Sequence, residues 1–267
     1  MSYVLTLRLA GPLQAWGASS RFSRRMTERT PTKSGVIGLI AAALGLPRTD
    51  SLERFSALRY GVRADQPGSL LRDFHTAHDD SGASMPLSQR YYLQDAVFLA
   101  GLESDDRELL ESFAQALRHP HFSLFLGRRS CPPEGPVATR IVPGDLETVL
   151  REAPWAGTAR HLVELEARRG LHGSEASTVI TAELLVEPRE GDPAGAAAET
   201  LADEPVSFDP EQRQYTARRI QRLDPVEFAA PTAAGSAGDD TGSLDPFETV
   251  LELGGRNTHP NTQGEHQ

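Results

Sequence analysis

Within the first 126 residues the chain switches between a period of two and a period near 3.6 in one fixed order, and that order narrows the possible folds more than any single motif. Tyr3 to Ala10 (YVLTLRLA) alternates and is rich in β-formers, so it predicts a strand, which Gly11-Pro12 breaks. A polar, arginine-rich loop runs on to Pro31. Thr32 or Ser34 can cap a helix from about Gly35 to Leu44, and Gly45 suits its left-handed stop. Leu58 to Ala64 predicts a second strand, Ala96 to Leu102 a third and Phe122 to Leu126 a fourth. Between the last two, Asp105 to Arg118 predicts an amphipathic helix, with Leu109, Phe113 and Leu117 in one line and Leu110 and Ala114 beside it. The stretch from Asp65 to Asp95 is more polar, with Leu70-Leu71 and Tyr91-Tyr92-Leu93 near its ends, and reads as an extended hairpin-like insertion over about 66–95. Strand, helix, strand, strand, helix, strand is the split-βαβ or ferredoxin-like layout, an antiparallel sheet with two helices on one face. Many RNA-binding modules use this sheet, but it hosts unrelated functions too, so the residues have to decide.

Beyond Pro132 the patterning weakens. Leu162 to Ala167 and Thr178 to Val186 read as strands, Arg189 to Glu204 as an Ala/Gly/acid linker, and Gln214 to Leu223 (QYTARRIQRL) as a short basic segment of undecided structure. From Ala229 onward Ala, Gly, Ser, Asp and Thr dominate, which predicts a largely disordered, acidic tail. Residues 1–228 are therefore expected to form one α+β domain with a less regular, β-containing C-terminal part, and residues 229–267 the tail.

Charge points to a partner class. The net charge of -10 disfavours a polyanion at first sight. Its distribution does the opposite: residues 1–60 sum to +6 and the remainder to -16. A polyanion responds to a local patch rather than to the sum. The one cysteine, Cys131, allows neither an intrachain disulfide nor a cysteine zinc site. The longest apolar run, Val36 to Leu46, falls far short of the ~20 residues a membrane span needs, and no signal-peptide pattern opens the chain. The expectation is a soluble, cytoplasmic protein without a membrane partner.

Several motifs have competing readings. Lys33-Ser34 invites a phosphate-binding loop, but threonines stand at 27 and 32 where that loop needs glycines, so the backbone cradle is missing. The start of the following helix still attracts phosphate oxygens through free N–H groups, with Lys33, Arg24, Arg25 and Arg29 alongside. Lys33 is the single lysine among 27 basic residues. Gly35 and Gly38 match a G-x-x-G clamp in spacing, yet they fall inside an apolar helix, where close packing on the sheet is the favoured reading. Trp16, in GPLQAWG, is suited equally to stacking on a base and to filling the core edge. LGRRSCPP places Arg128 and Arg129 on a glycine loop able to approach a sugar-phosphate backbone. His119 and His121 read as surface histidines rather than metal ligands, and no cofactor or metal is expected. His75, with Tyr91 or Tyr92 and Lys33, has the chemistry for acid–base cleavage of RNA, although nothing in the spacing demands it.

Taken together, RLAGPLQAWG, RRMTERTPTKSGVIGLIAAALG, LRDFHTA, YYLQDAVF and LGRRSCPP resemble the Cas-five family, in the form carried by Cascade, the subtype I-E CRISPR surveillance complex. The resemblance covers about residues 1–133 in order. It implies a ferredoxin-like (RRM-like, RAMP) palm with a protruding β-hairpin thumb. It also implies binding of the 5′ handle of the CRISPR RNA, a cap on one end of the filament of backbone subunits, contact with the large subunit, and target DNA met only indirectly through the complex. The positions it marks as RNA-binding are Gln14, Trp16, Arg24, Arg25, Thr27, Arg29, Thr32, Lys33, Ser34, Arg72, His75, Arg90, Tyr91, Arg128 and Arg129. A relative in subtype I-C cuts the repeat RNA itself; the subtype I-E pattern implies a non-catalytic subunit, with a metal-independent repeat endoribonuclease as the alternative.

Overall fold

A computed structural model describes residues 1–18, 24–169, 179–189, 191–192 and 198–229. Of the tail predicted over 229–267, Ala229 ends a strand and residues 230–267 lie outside the described residues. β1 (Tyr3–Ala10), β4 (Arg59–Gln66) and β7 (Val97–Ser104) form the centre of a seven-stranded sheet. β1 pairs antiparallel with β7 on one side and β8 (Thr139–Pro143) on the other, and β7 pairs antiparallel with β4. β4 continues the sheet through β9 (Val179–Val186), β11 (Gln214–Ala229) and β10 (Ala198–Ser207), all antiparallel. The chain is thus a mixed α+β fold.

The first helix, α1 (Lys33–Leu44), starts two residues earlier than the sequence predicts. Thr32, not Ser34, is its cap, accepting the Gly35 N–H at 3.2 Å, and Gly45 ends it at φ 75°. Val36, Ile37, Leu39, Ile40, Ala41 and Ala43 are all buried, so the helix is covered on nearly every side. α2 (Arg107–Arg118) is amphipathic, capped by Asp106, and buries Leu110, Phe113, Ala114 and Leu117. Both helices pack with Leu5, Leu7, Leu9, Phe98 and Ala100 in one core. A third helix, α3 (Leu146–Glu152), joins Val4, Leu99, Leu184 and Val186 in a separate core. It approaches closely because Gly61 and Gly101 present no Cβ to Leu146 and Leu150. Arg63 and Asp65, both fully buried, pair through two bonds of 2.6 and 2.8 Å, and Arg63 also donates to the carbonyls of Leu150, Ala153 and Pro154. That satisfies carbonyls the end of α3 leaves open.

Three sequence expectations are corrected and one left undecided is settled. Phe122–Leu126 is not a strand; the backbone N–H groups of His121 and Phe122 turn onto the carbonyls of Ala43 and Ala42 and close the end of α1. The strand position it was expected to fill is taken by β8. Leu162–Ala167 belongs to a helix, α4 (Ala159–Arg169), because Leu and Val also fit a helical period there. Within the expected Arg189–Glu204 linker, residues from Ala198 onward belong to β10, and the basic segment from Gln214 is β11.

The predicted insertion forms a second, smaller sheet. β5 (Ser69–His75) and β6 (Ser88–Gln94) pair antiparallel as a hairpin, and β5 is exposed along its whole length. At its root β6 also takes β2 (Leu13–Gln14) antiparallel, and further out, at Gln89 and Arg90, it takes β3 (Arg24–Arg25) parallel.

Candidate nucleic-acid interface

The hairpin gathers arginines along its length from segments far apart in sequence. The parallel register sets Arg24 opposite Gln89 and Arg25 opposite Arg90. On the other edge of β6, Arg72 faces Tyr91 and His75 faces Ser88. The Leu126–Cys131 loop sits against the same strands, held by Leu126 N–H to Cys131 O at 2.7 Å and Cys131 N–H to Arg128 O at 2.9 Å. Arg128 donates Nη1 to Tyr91 O at 2.8 Å and Nη2 to Arg25 O and Met26 O at 2.7 and 3.1 Å. Its guanidinium also lies 4.9 Å from the centre of the Tyr92 ring. Burial pulls the Arg128 pKa down and the neighbouring Arg90 charge adds to that, against the Tyr92 hydroxyl.

Arg24, Arg25, Arg29 and Arg129 are exposed, as is Arg72. Among the described residues none of them, nor Arg90, makes an ion pair with a carboxylate. The Nε of Arg90 is buried and finds no hydrogen-bond partner among the described residues. A buried donor without an acceptor is costly, and an anion would satisfy it. Tyr91 Oη donates to Gln89 Oε1 at 3.4 Å, and His75 stays exposed on β5.

Five other predicted positions lie inside the protein. Gln14 is fully buried; its amide donates to Leu9 O and Ala96 O and accepts the Trp16 indole N–H at 3.0 Å. Trp16, also fully buried, fills the core edge, the second of its two readings, and its ring packs against Gly35. Its backbone N–H goes to Thr27 Oγ1 at 2.9 Å and its carbonyl accepts the Glu28 N–H. Half-buried Thr27 thus ties the arginine-bearing segment down. Thr32 is spent on the helix cap, and Ser34 is buried with its hydroxyl on Thr32 at 3.5 Å. Gly127, at φ 87°, approaches the chain's own backbone: a Cβ there would collide with the Ala15 carbonyl.

Lys33 departs furthest from expectation. It is 3% exposed, and its ammonium lies 3.2 Å from Glu187 Oε1 and 2.7 Å from Glu204 Oε2. Its backbone N–H donates to Asp203 Oδ2 at 2.8 Å, so a carboxylate from β10 already stands at the front of α1. Arg218 from β11 closes the cluster with two bonds to Asp203, at 2.6 and 2.9 Å. Burial pulls the Arg218 pKa down, but Asp203 and Glu187 more than reverse that. Burial pushes Tyr60, whose hydroxyl donates to Pro31 O at 2.8 Å, far up. A groove of about 1070 Å³ opens over this cluster, lined by Arg59 and Arg219 but also by Glu53, Glu103 and Asp105. Mixed signs make it a poor polyanion surface. Sequence reading missed Asp203, Glu187, Glu204 and Arg218 because nothing local marks acids far along the chain as partners of a helix start. No helix among the described residues is long and apolar enough to cross a membrane.

Comparison with known proteins fits this geometry. The family model for CRISPR-associated protein (Cas_Cas5) matches residues 4–221. The CRISPR system Cascade subunit CasD of Escherichia coli (strain K12) is 36% identical over 152 residues, which span 49% of this chain and 68% of that protein. A chain in a solved CRISPR RNA-guided surveillance complex superposes with a TM-score of 0.66 at 30% identity, covering 88% of this chain and 95% of its own length. A crystal structure of a Cas protein gives a TM-score of 0.58 at 34% identity, covering 86% of this chain and 95% of its own. A family match that runs from β1 into β11, and so takes in both the hairpin with its arginines and the buried Lys33 cluster, means that this chain belongs to the CRISPR-associated Cas_Cas5 family.

Proposed function

We propose that this chain is the Cas-five subunit of a Cascade-type, CRISPR RNA-guided surveillance complex. In this reading it binds the 5′ handle of the CRISPR RNA along the arginine-bearing side of the hairpin, caps one end of the backbone filament beside the large subunit, and performs no chemistry itself. The observation that carries it is the set Arg24, Arg25, Arg29, Arg72, Arg90 and Arg129, left without carboxylate partners among the described residues of an acidic chain, with the Arg90 Nε buried and unmet. The same reading takes β8-β1-β7-β4, the order 4-1-3-2 of the strands flanking α1 and α2, as a ferredoxin-like (RRM-like, RAMP) palm, and the β5–β6 hairpin as its thumb.

The non-catalytic reading is supported by the separation of the candidate acid–base groups. Lys33 is held by Glu187 and Glu204, while His75 stands on the exposed hairpin three register positions from the Arg72–Tyr91 pair, roughly 10 Å along the strand.

The test is binding of a labelled 5′-handle RNA against a scrambled RNA, titrated with salt. Replacing Arg24, Arg25 and Arg90 together by alanine is expected to weaken handle binding and to lower the slope of log K against log salt by about two, at ~0.7 per single-strand phosphate contact. Equal binding of handle and scrambled RNA, or an unchanged slope, overturns the reading. Incubation with repeat RNA in EDTA decides the enzymatic alternative: a 2′,3′-cyclic-phosphate product lost in His75→Ala establishes it.

A further inference from the structure

We propose that Arg128 is a positioning residue, one that locks the strand carrying Arg24 and Arg25 beside the strand carrying Arg90 so that the arginine surface stands assembled before RNA arrives. The inference rests on the RNA-binding reading for the purpose of that surface, but not for the lock itself. β3 is only two residues long and pairs with β6 at two positions, too little to hold itself. Arg128 supplies what the ladder lacks. One guanidinium nitrogen reaches across to the Tyr91 carbonyl on β6, and the other reaches the carbonyls of Arg25 and Met26, so a single planar group bridges the two strands. The Tyr92 ring holds one face of that plane. The loop that carries Arg128 is tied to itself and to the core by Leu126, whose carbonyl accepts the Ala15 N–H at 3.1 Å.

The electrostatics of this placement argue for a structural purpose. Among the described residues Arg128 is half-buried, has no carboxylate partner, and is opposed by the like charge of Arg90. The energetic cost of holding a cation there is offset by three carbonyl dipoles, and those carbonyls belong to the residues that frame the arginine pair. A lysine cannot do the same, since its ammonium is a point and cannot span both strands in one plane.

The test uses the full chain. Amide hydrogen exchange of residues 24–28 is followed without RNA, and binding of a labelled single-stranded RNA carrying the repeat-derived 5′ end is measured in parallel. Arg128→Lys keeps the charge, so a direct phosphate contact would be largely rescued by it, whereas the lock would not. The expected result for Arg128→Lys is exchange at 24–28 at least tenfold faster and RNA binding roughly tenfold weaker, the scale of lost charge-assisted bonds. Arg25→Ala is expected to weaken RNA binding with exchange unchanged. Exchange unchanged in Arg128→Lys overturns the proposal, whatever happens to RNA. Should Arg128→Lys fail to fold, Tyr92→Leu, which withdraws the ring but leaves Arg128 intact, must give the same local rise; a wild-type rate there overturns the proposal. If the wild-type chain shows no preference for the handle RNA, the RNA reading falls, and the exchange comparison still decides the lock.

Discussion

The backbone N–H of Lys33 donates to Asp203 Oδ2 at 2.8 Å, joining the first turn of α1 to a strand 170 residues further along the chain. The positive end of the helix is thereby met by a carboxylate of the protein itself. The same carboxyl group holds Arg218 through two bonds, and Glu187 contacts both Lys33 and Arg218. This cluster fastens the C-terminal strands to the N-terminal helix.

Asp203→Ala should therefore act on stability. Asp203 is fully buried, and its removal leaves Arg218 and an open N–H facing one another in the interior. Breaking one side of a buried pair typically costs about 3–5 kcal/mol. Urea unfolding of the variant is expected to show a loss of that order; a loss under about 1 kcal/mol would mean that water or another group replaces the carboxylate at once.

The pH dependence of the same cluster has a defined sign. Burial pushes the Glu204 carboxyl above its ordinary value of 4.5, more strongly than the Lys33 ammonium pulls it down. Glu28 is raised too, by burial and then by Asp203. For a carboxyl raised by folding, the native state binds the proton more tightly than the unfolded one, so its contribution to stability falls as pH rises from about 4.5 through the raised value. Unfolding free energies measured from pH 4.5 upward should show this decline flattened in Glu204→Gln, and flattened further when Glu28→Gln is added. A wild-type slope in the double variant contradicts the assignment.

Two glycines one turn apart in α1 give opposite expectations. A Cβ on Gly35 would stand 2.7 Å from the Trp16 ring and 2.9 Å from Thr32 Oγ1, whereas one on Gly38 meets only the Phe208 ring at 3.8 Å. Gly35→Ala is expected to lose about 1–3 kcal/mol through overpacking, because both neighbours are fixed by the cap and by Gln14. Gly38→Ala is expected to be neutral or to gain up to ~1 kcal/mol from helix propensity. Thermal unfolding of the two variants decides it; equal losses at both sites would show that the helix can shift.

These pairs also explain what could be read in the sequence and what could not. β1, the hairpin and α2 were legible because their signals are local: alternation in YVLTLRLA, apolar spacing in Arg107–Arg118, and polar residues over the insertion. β10 was not, because ETLADEPVS buries an acid, Asp203, and a proline, Pro205; an acid reads as solvent-facing until its cation is known, and a proline reads as a strand breaker. β8 was missed for a related reason: an edge strand such as TRIVP needs little apolar content. The arginines from residue 24 to 29 were legible as a basic stretch, and they do reach the surface. Lys33 belonged to the same count and is buried, since counting charges along the chain does not reveal acids more than 150 residues away. Gln14 and Trp16 carried groups suited to RNA, and the fold uses those groups on each other.

Lys33 and Arg29 are four residues apart and should separate stability from binding. Lys33→Met leaves Glu204 without its ammonium and Glu187 with Arg218 alone, and is expected to cost about 3–5 kcal/mol as a broken buried pair. The folded fraction of that variant should keep the wild-type salt dependence of RNA binding, because the ammonium is turned into the protein. Arg29 is exposed and makes no ion pair among the described residues. Arg29→Ala should change stability by no more than about 0.5 kcal/mol. It should also lower the salt slope by about 0.7, the share of one single-strand phosphate contact. Unfolding and salt-titrated RNA binding on both variants check this. A Lys33→Met protein of native stability with a reduced slope would show that Lys33 leaves Glu187 and Glu204 to reach the RNA, and that the buried cluster is not the resting arrangement.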